Sequence, residues 1–352
     1  MSSFLFLSHS HASGPFRVGS HHLARELART GAEVVHLSTP LSLAHRVTGR
    51  VSRADAAATP RGTHTDDAGV THLVPRTLTP RPFGSFRVER ELARHSLPAA
   101  FDTVLIDQPL LWDASVRPLA RTLVYRPTDL YPSGVKADLQ RRIVTAADAV
   151  VATSAEVLRG LGDVDVPTLV LENGVDLGHV AASDSAARPA VCVYVGALDG
   201  RFDWLQVIRW AQARPDVRFE IAGPTPGPRA VPANVTLLGP VAYDAVPALL
   251  HGARVGLLPL SDDPLNAGRS PMKLHEYLGA GLSVVARGTP VIGARESQGL
   301  YTYDGPDDAE AALSRALAHP SPNLAGAAGA AASSWPEKTR TLRAFLASLP
   351  TR

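Results

Sequence analysis

Lysine is almost missing from this chain. Of its 35 basic residues only Lys136, Lys273 and Lys338 are lysines, and the rest are arginines. Such arginine and alanine enrichment follows from a GC-rich genome, and with a net charge of only +2 it argues against a nucleic-acid partner. Cysteine is scarcer still: Cys192 stands alone inside "VCVYVG", which excludes a disulfide framework and any multi-cysteine metal site and makes a reducing cytoplasm the expected home. No apolar run approaches the roughly 18 residues that a membrane span requires. The opening "MSSFLFLS" has no basic flank and too short an apolar part for a signal peptide, so it reads as a first buried strand.

What is present is a long alternation of short apolar runs with amphipathic segments, the pattern of parallel sheets with crossover helices. At 352 residues the chain fits two domains. In the first half strands are expected at 3–8, 33–38, 103–107, 122–126, 149–153 and 168–172. "GSHHLARELARTG" between the first two carries a helical apolar face and a glycine stop. A second series is expected at 190–198, 218–224, 234–240, 254–260 and 282–287, with helices over 203–214 and 245–253. The domains are therefore placed at 1–172 and 190–335. A linker is expected at 173–189, starting at the "ENGVD" turn, and a terminal helix at 336–352 that crosses back to the first domain. Residues 41–64 break the rhythm and read as a loop excursion. "RPFGSFRVER" (81–90) mixes aromatic and basic residues, either as an ordinary loop or as a peripheral contact with an anionic lipid or acceptor.

The stretch "RSPMKLHEYLGAGLSVVA" (269–286) holds the densest chemistry. Ser270 and Pro271 read as a helix start, with the serine hydroxyl capping free amides and proline at the first helical position. Lys273 in the first turn opposes the helix dipole, a conflict that an anionic ligand would remove. Glu276 lies three residues on and on the same face, where a carboxylate can accept two hydrogen bonds from vicinal hydroxyls. The bland reading is that the two merely pair with each other, worth about 0.2–0.5 kcal/mol.

"SPMKLHEYLGAGLSVVA" resembles the nucleotide-sugar signature of the GT-B glycosyltransferases. In order along the chain, "VLENGVD", "YVGALDGRFD", "FEIAGP" and "NVTLLGPVAYDAVPALLHGARVGLLPL" extend the resemblance. Within that superfamily the pattern, including "GPFRVGSHHLARELARTGAEVVHLSTPLS" (14–42), is similar to the branch containing the bacterial xanthan glucuronosyltransferase and related exopolysaccharide enzymes. The resemblance implies an α/β GT-B fold of two facing Rossmann-like, doubly wound domains with a cleft between them. It implies a diphosphate bound by Lys273 with Met272 beside it, a ribose held by Glu276, and amides around Gly196 and Ala197 facing the phosphates. Retaining relatives carry a Glu-x7-Glu motif whose first member would fall at Gly268, which has no side chain, so inversion is expected.

Inversion needs a base on the acceptor side. Asp129 in "VYRPTDLYP", with Arg126 three residues before it, is the preferred candidate; its bland reading is a turn cap beside Pro132. Asp107 in "DQP" is the second candidate, with turn formation as its bland reading. The loop "SHSHASGPFRVGS" offers His9, His11, Gly14, Arg17 and His21. Of these His9, Gly14 and Arg17, together with Arg126, are expected to bind acceptor or phosphate, Arg17 by a bidentate grip, whereas His22 facing Glu26 reads as helix surface. His-x-His without a partnered carboxylate is a poor metal site, and no Asp-x-Asp suggests a metal clamp, so no cofactor and no essential metal are expected. The partners expected are a nucleotide-sugar donor, UDP by default, and a glycan, lipid-linked or small-molecule acceptor, with peripheral membrane contact and no nucleic acid. A retaining transferase or nucleotide-sugar epimerase of the same fold, and a non-catalytic nucleotide-sugar or glycan-binding protein, are the alternatives.

Overall fold

The computed structural model describes residues 2–14, 16–48, 56–57, 59–81, 83–84, 86–181, 187–224 and 227–350. The chain divides into two compact units, Met1–Glu172 with Thr339–Arg352, and Asn173–Lys338. Parts of the excursion at 41–64, of the 81–90 stretch and of the expected linker lie outside the described residues.

The first unit is built on β1 (Ser3–Ser8), β2 (Glu33–Ser38), β3 (Leu41–Ser42), β4 (Thr63–Thr65), β5 (Val70–Leu73), β6 (Arg76–Thr77), β7 (Phe101–Ile106), β8 (Ala120–Tyr125), β9 (Ala149–Ala152) and β10 (Thr168–Val170). Its main sheet runs β10-β9-β8-β7-β1-β2-β5-β4. All pairs in it are parallel except β4–β5. Strands such as β1 and β9 carry continuous apolar runs because both of their faces are buried, as parallel sheets covered by helices require. The β4–β5 hairpin escaped the sequence reading because its strands are short and polar. The cause of the turn was nonetheless written there: the Asp66 carboxylate accepts from the amides of Ala68 (3.0 Å) and Val70 (2.9 Å), and Gly69 adopts a φ of 89°.

The second unit holds β11 (Val191–Val195), β12 (Arg218–Ala222), β13 (Val235–Gly239), β14 (Val255–Leu258), β15 (Ser283–Arg287) and β16 (Leu300–Tyr303). The sheet is fully parallel in the order β13-β12-β11-β14-β15-β16. That is the doubly wound 3-2-1-4-5-6 pattern, which puts ligands at the carboxyl ends of the strands where the order reverses, here between β11 and β14. The edge strand β16, with its aromatic "LYTY", was not expected. Residues read as linker are built into this unit: Asn173 bonds to Ser270, 177–180 form a helical turn, and the buried Arg188 donates to the carbonyls of Leu250, Ala253 and Ala280. No helix among the described residues is long and apolar enough to cross a membrane.

One close approach fixes the helix Met272–Gly279 against the sheet. The Tyr277 ring lies on the bare α-carbon of Gly256 in β14, where an added Cβ would fall 2.2 Å from the ring, and the phenol oxygen accepts from the Val195 amide at 3.0 Å. Gly256→Ala is expected to lower unfolding stability by about 1–3 kcal/mol through overpacking. An unchanged denaturant midpoint would show that the ring reseats without cost.

Candidate active site

In the second unit the helix Met272–Gly279 begins differently from expectation. Pro271 is the N-cap, extended at φ −75°, ψ 119°, and no side chain caps the helix. Ser270 is buried, and its hydroxyl accepts from the Asn173 amide (3.2 Å) while the Asn173 side chain donates to the Ser270 carbonyl (2.8 Å). The serine therefore latches the approach to the helix to the "ENGVD" turn, leaving the amides at the helix start without a side-chain acceptor.

Lys273 lies in that first turn, half-buried. Its side chain crosses Gly196 so closely that a Cβ there would meet Cε at 2.1 Å and Nζ at 2.5 Å, and Nζ lies 5.6 Å from the Tyr194 ring centroid. Gly196 was expected to offer its amide to phosphate. The amide is instead committed to the Ala222 carbonyl at 2.9 Å, and the glycine is needed because the lysine passes over it. The Tyr194 hydroxyl donates to the neighbouring Ala197 carbonyl at 2.7 Å.

Glu276, one turn deeper, is also half-buried. Among the described residues it forms no ion pair with Lys273 within 4.0 Å, so the bland reading of the pair fails. Burial and then the neighbouring Arg269 pull the Lys273 ammonium down to about 8, with Arg201 adding to the effect and Glu276 opposing it. Burial likewise pushes the Glu276 carboxyl up, against the pull of Lys273. Three cations, Lys273, Arg269 and Arg201, thus lie near two carboxylates, Glu276 and Asp199, the second of which pairs with Arg201 at 3.0 Å. Met272 is half-buried next to them. The set suits a ligand with a doubly charged head and a hydroxyl-bearing body.

In the first unit the polar groups collect at the ends of β1, β7 and β8. His9 Nε2 lies 3.3 Å from the Tyr131 hydroxyl and 3.4 Å from Thr128 Oγ1. Asp129, half-buried, lies within 3.4 Å of the Thr128 hydroxyl. Lys136, in the first turn of the helix Gly134–Ala146, sits 4.7 Å from the Tyr131 ring centroid. Burial, then Lys136 and Arg126, hold His9 down to about 3, so it is a neutral hydrogen-bonding group and no cation for phosphate. Arg126, expected on the acceptor side, is instead turned into the fold: it is 1% exposed and its Nη1 lies 2.5 Å from Asp107 Oδ2. Asp107 is a buried counter-ion and no turn former.

The glycine and arginine of the first loop are occupied in building it. The Gly14 amide donates to the His11 carbonyl at 3.0 Å, and the Arg17 guanidinium donates to the Ala12 carbonyl. His21 accepts from the Val18 amide on Nδ1 (3.1 Å), so its proton is on Nε2, which donates to the Ser10 carbonyl (3.0 Å). His22, read as helix surface, is buried, and Glu26 pairs with Arg29 at 2.5 Å. In the 81–90 stretch Arg81 donates inward to the carbonyls of Leu110, Phe86 and Trp112, and Arg87 pairs with Asp113. Phe86 is buried while Phe83 faces solvent; Pro82 and Ser85 lie outside the described residues.

Comparison with known proteins fits this two-part arrangement. Residues 6–103 match the family described as Glucuronosyltransferase GumK, N-terminal domain, and residues 189–319 match Glycosyl transferases group 1. Each unit thus resembles one domain of a glycosyltransferase, and the fold is of the GT-B type. Sucrose-phosphate synthase from Thermosynechococcus elongatus superposes with a TM-score of 0.70 at 14% identity, covering 99% of both chains. Anabaena Alr3699/HepE, solved in complex with UDP, gives 0.65 at 16% identity over 99% of this chain and 100% of its own. At these identities the likeness speaks for the fold. The Bacillus subtilis (strain 168) protein named putative teichuronic acid biosynthesis glycosyltransferase TuaH is 25% identical over 240 residues. That alignment covers 62% of this chain and 59% of TuaH, so the chain spans about three fifths of that relative's length.

Sequence reading missed Asn173, Arg201, Arg269, Tyr131 and Lys136. The rarity of lysine was a usable signal for Lys136, since the other first-turn lysine, Lys273, drew attention for that reason. The remaining four depend on which loops meet, which no local pattern records.

Buried neutral histidines give the first unit a pH signature. Burial holds His9 and His21 at about 3 and His36 well below the ordinary range, whereas in an unfolded chain they protonate near 6.5. Between those values the unfolded chain binds more protons, so stability is expected to fall as pH drops below about 6.5. Asp107, raised by burial to about 6, works in the opposite sense but is one group against three. Hydrogen-exchange protection of β1 and β2 should therefore decline from pH 7 to pH 4; constant protection would mean that the rings accept protons within the fold.

Proposed function

We propose that this glycosyltransferase moves a sugar from a nucleotide-sugar, UDP-linked by default, to a hydroxyl acceptor with inversion and without an essential metal ion. The reading is carried by one observation: Lys273 and Glu276 stand one turn apart, both half-buried, and are not paired with each other. Two opposite charges kept apart in a partly desolvated place serve two parts of one ligand better than they serve the fold. Lys273, with Arg201 and Arg269 near it, takes the diphosphate, whose charge grows as the sugar leaves, so these cations act most strongly in the transition state. Glu276 accepts from the ribose hydroxyls. The UDP seen with Alr3699/HepE supports the choice of nucleotide, and the name of TuaH supports a place in bacterial glycan assembly.

On the first unit Asp129 is the base, removing the proton from the acceptor hydroxyl as its oxygen attacks the anomeric carbon opposite the leaving diphosphate. Gly268, where a retaining relative would carry a carboxylate, offers none, which supports inversion. The three cations supply the charge that a metal would otherwise bring to the diphosphate, so EDTA is expected to leave transfer unchanged. Exposed Leu43, Val47, Leu78 and Phe83 are the basis for peripheral membrane contact by a cytoplasmic enzyme. The first three belong to one neighbourhood, since the Ala44 amide donates to the Leu78 carbonyl.

Incubation with UDP-sugars and glycan acceptors, followed by NMR of the product, tests the reaction; a retained anomeric configuration would overturn inversion. Lys273→Ala should weaken UDP binding by about 10- to 100-fold, the scale of one charged hydrogen bond. Glu276→Ala should weaken UDP binding but not that of inorganic pyrophosphate, and equal losses would remove the ribose contact. Asp129→Asn should abolish transfer with UDP affinity intact. Because Lys273 loses its proton near pH 8 when no ligand is bound, UDP affinity should decline as pH rises above 8, and Lys273→Arg should flatten that decline. A slope equal in both proteins would take Lys273 out of the phosphate site.

A further inference from the structure

Asp107 and Arg126 follow directly on the adjacent parallel strands β7 and β8, whose register pairs Ile106 with Tyr125. Their ion pair is 2.5 Å long, and the side chains are 2% and 1% exposed. As a source of stability such a pair is a poor choice, because two apolar side chains of the same size would do as well or better. Even within the pair the accounting is incomplete: Asp107 Oδ1 and Arg126 Nε are buried and make no hydrogen bond among the described residues. Its place in the chain suggests what it serves.

Arg126 is three residues before Asp129, and little freedom remains between them. The Arg126 amide donates to the Ile106 carbonyl at 2.9 Å. Pro127 has a fixed φ, and its carbonyl accepts from both the amide and the hydroxyl of Thr153, at 3.2 and 3.3 Å. Thr128 then reaches His9 on one side and Asp129 on the other, each at 3.4 Å. The guanidinium is the buried anchor of a turn that ends in the Asp129 carboxylate.

We propose that Asp107 is a positioning residue: by holding Arg126 inside the sheet end it fixes the Pro127–Thr128–Asp129 turn and so sets the direction of the Asp129 carboxylate. The inference rests on the reading of Asp129 as the base, and it extends that reading to a residue that touches no substrate. Burial raises the Asp107 carboxyl to about 6 against the pull of Arg126. The charged and titratable groups around the pair are Tyr125 on β8, His9 beyond β1, Asp129 and Tyr131 in the turn, and Lys136 on the following helix. His9, at about 3, stays neutral throughout the relevant range. Protonation of Asp107 below about pH 6 releases Arg126 and loosens the turn.

Hydrogen exchange followed by mass spectrometry on the full chain reads the turn without any substrate. Asp107→Asn should speed amide exchange at residues 128–131 at least tenfold while leaving the second unit and its UDP affinity unchanged. Turnover of the UDP-sugar found active in the transfer assay should fall at least tenfold with little change in donor KM, and the inflection near pH 6 should vanish from the wild-type kcat profile. Wild-type exchange in the turn, or wild-type turnover in the variant, overturns the proposal. Should Asp107→Asn fail to fold, the double variant Asp107→Leu with Arg126→Met removes both charges together. If that protein regains stability but keeps fast exchange at 128–131 and low turnover, the pair positions the turn; if turnover returns with stability, the pair is only structural. Retained transfer in Asp129→Asn would sink the base assignment alone, because the exchange measurement still decides whether Asp107 orders the turn.

Discussion

The ammonium of Lys273 is held in a partly dry place without a carboxylate at ion-pair distance, and much of the second unit is arranged to make that possible. The chain must pass over Gly196, because any side chain there would occupy the volume of Cε. Gly223 in turn leaves room for the Gly196 carbonyl, which a Cβ at 223 would approach to 2.3 Å. The helix bearing the lysine is seated by Tyr277 on Gly256 and led in by Asn173 through Ser270. A helix start without a side-chain acceptor adds partial positive charge to the same spot. The glycines cost chain entropy, and a lysine at a helix start opposes the helix dipole, a conflict that a bound anion would remove.

The first unit faces the same problem of charge at strand ends and resolves it differently. There the buried charges are neutralised within the protein, Arg126 by Asp107, while the buried imidazoles are kept uncharged by desolvation. An anion-binding end needs an uncompensated cation, whereas a base needs a carboxylate held in one direction by groups that do not compete for it. The contrast between an open charge at Lys273 and a closed pair beneath Asp129 fits those two requirements, on the roles proposed for the two residues.

The parts legible in the sequence were those whose cause is local. Strands buried on both faces announce themselves as apolar runs, and the spacing of Lys273 and Glu276 places them on one helical face whatever surrounds them. The edge strands β10 and β13 carry apolar runs and were expected, whereas β4 and β16 were missed: β4 is polar and β16 aromatic, and only pairing with a neighbour makes either a strand. Ser270 shows the limit most clearly. Its position before Pro271 fits a helix cap on every local criterion, yet an amide 97 residues away in sequence takes its hydroxyl. Arg126 failed in the same way, since a lone arginine beside a candidate base reads as ligand-binding until the adjacent strand brings Asp107 to it.

That correction also bears on the chemistry. With Arg126 withdrawn into the sheet, the polar groups near Asp129 include the neutral His9, the hydroxyls of Thr128 and Tyr131, and Lys136, which lies on the Tyr131 ring and feels the Asp129 charge. A guanidinium hydrogen-bonded directly to a base would hold its proton affinity down and oppose the transfer it must accept. Turned toward Asp107, the same guanidinium anchors the turn without competing for the carboxylate. Placing the counter-ion beneath the proposed base rather than beside it lets one arginine supply rigidity while its guanidinium bonds to Asp107 instead of Asp129, and this separation is the reason a buried pair of such poor intrinsic stability is suited to this position.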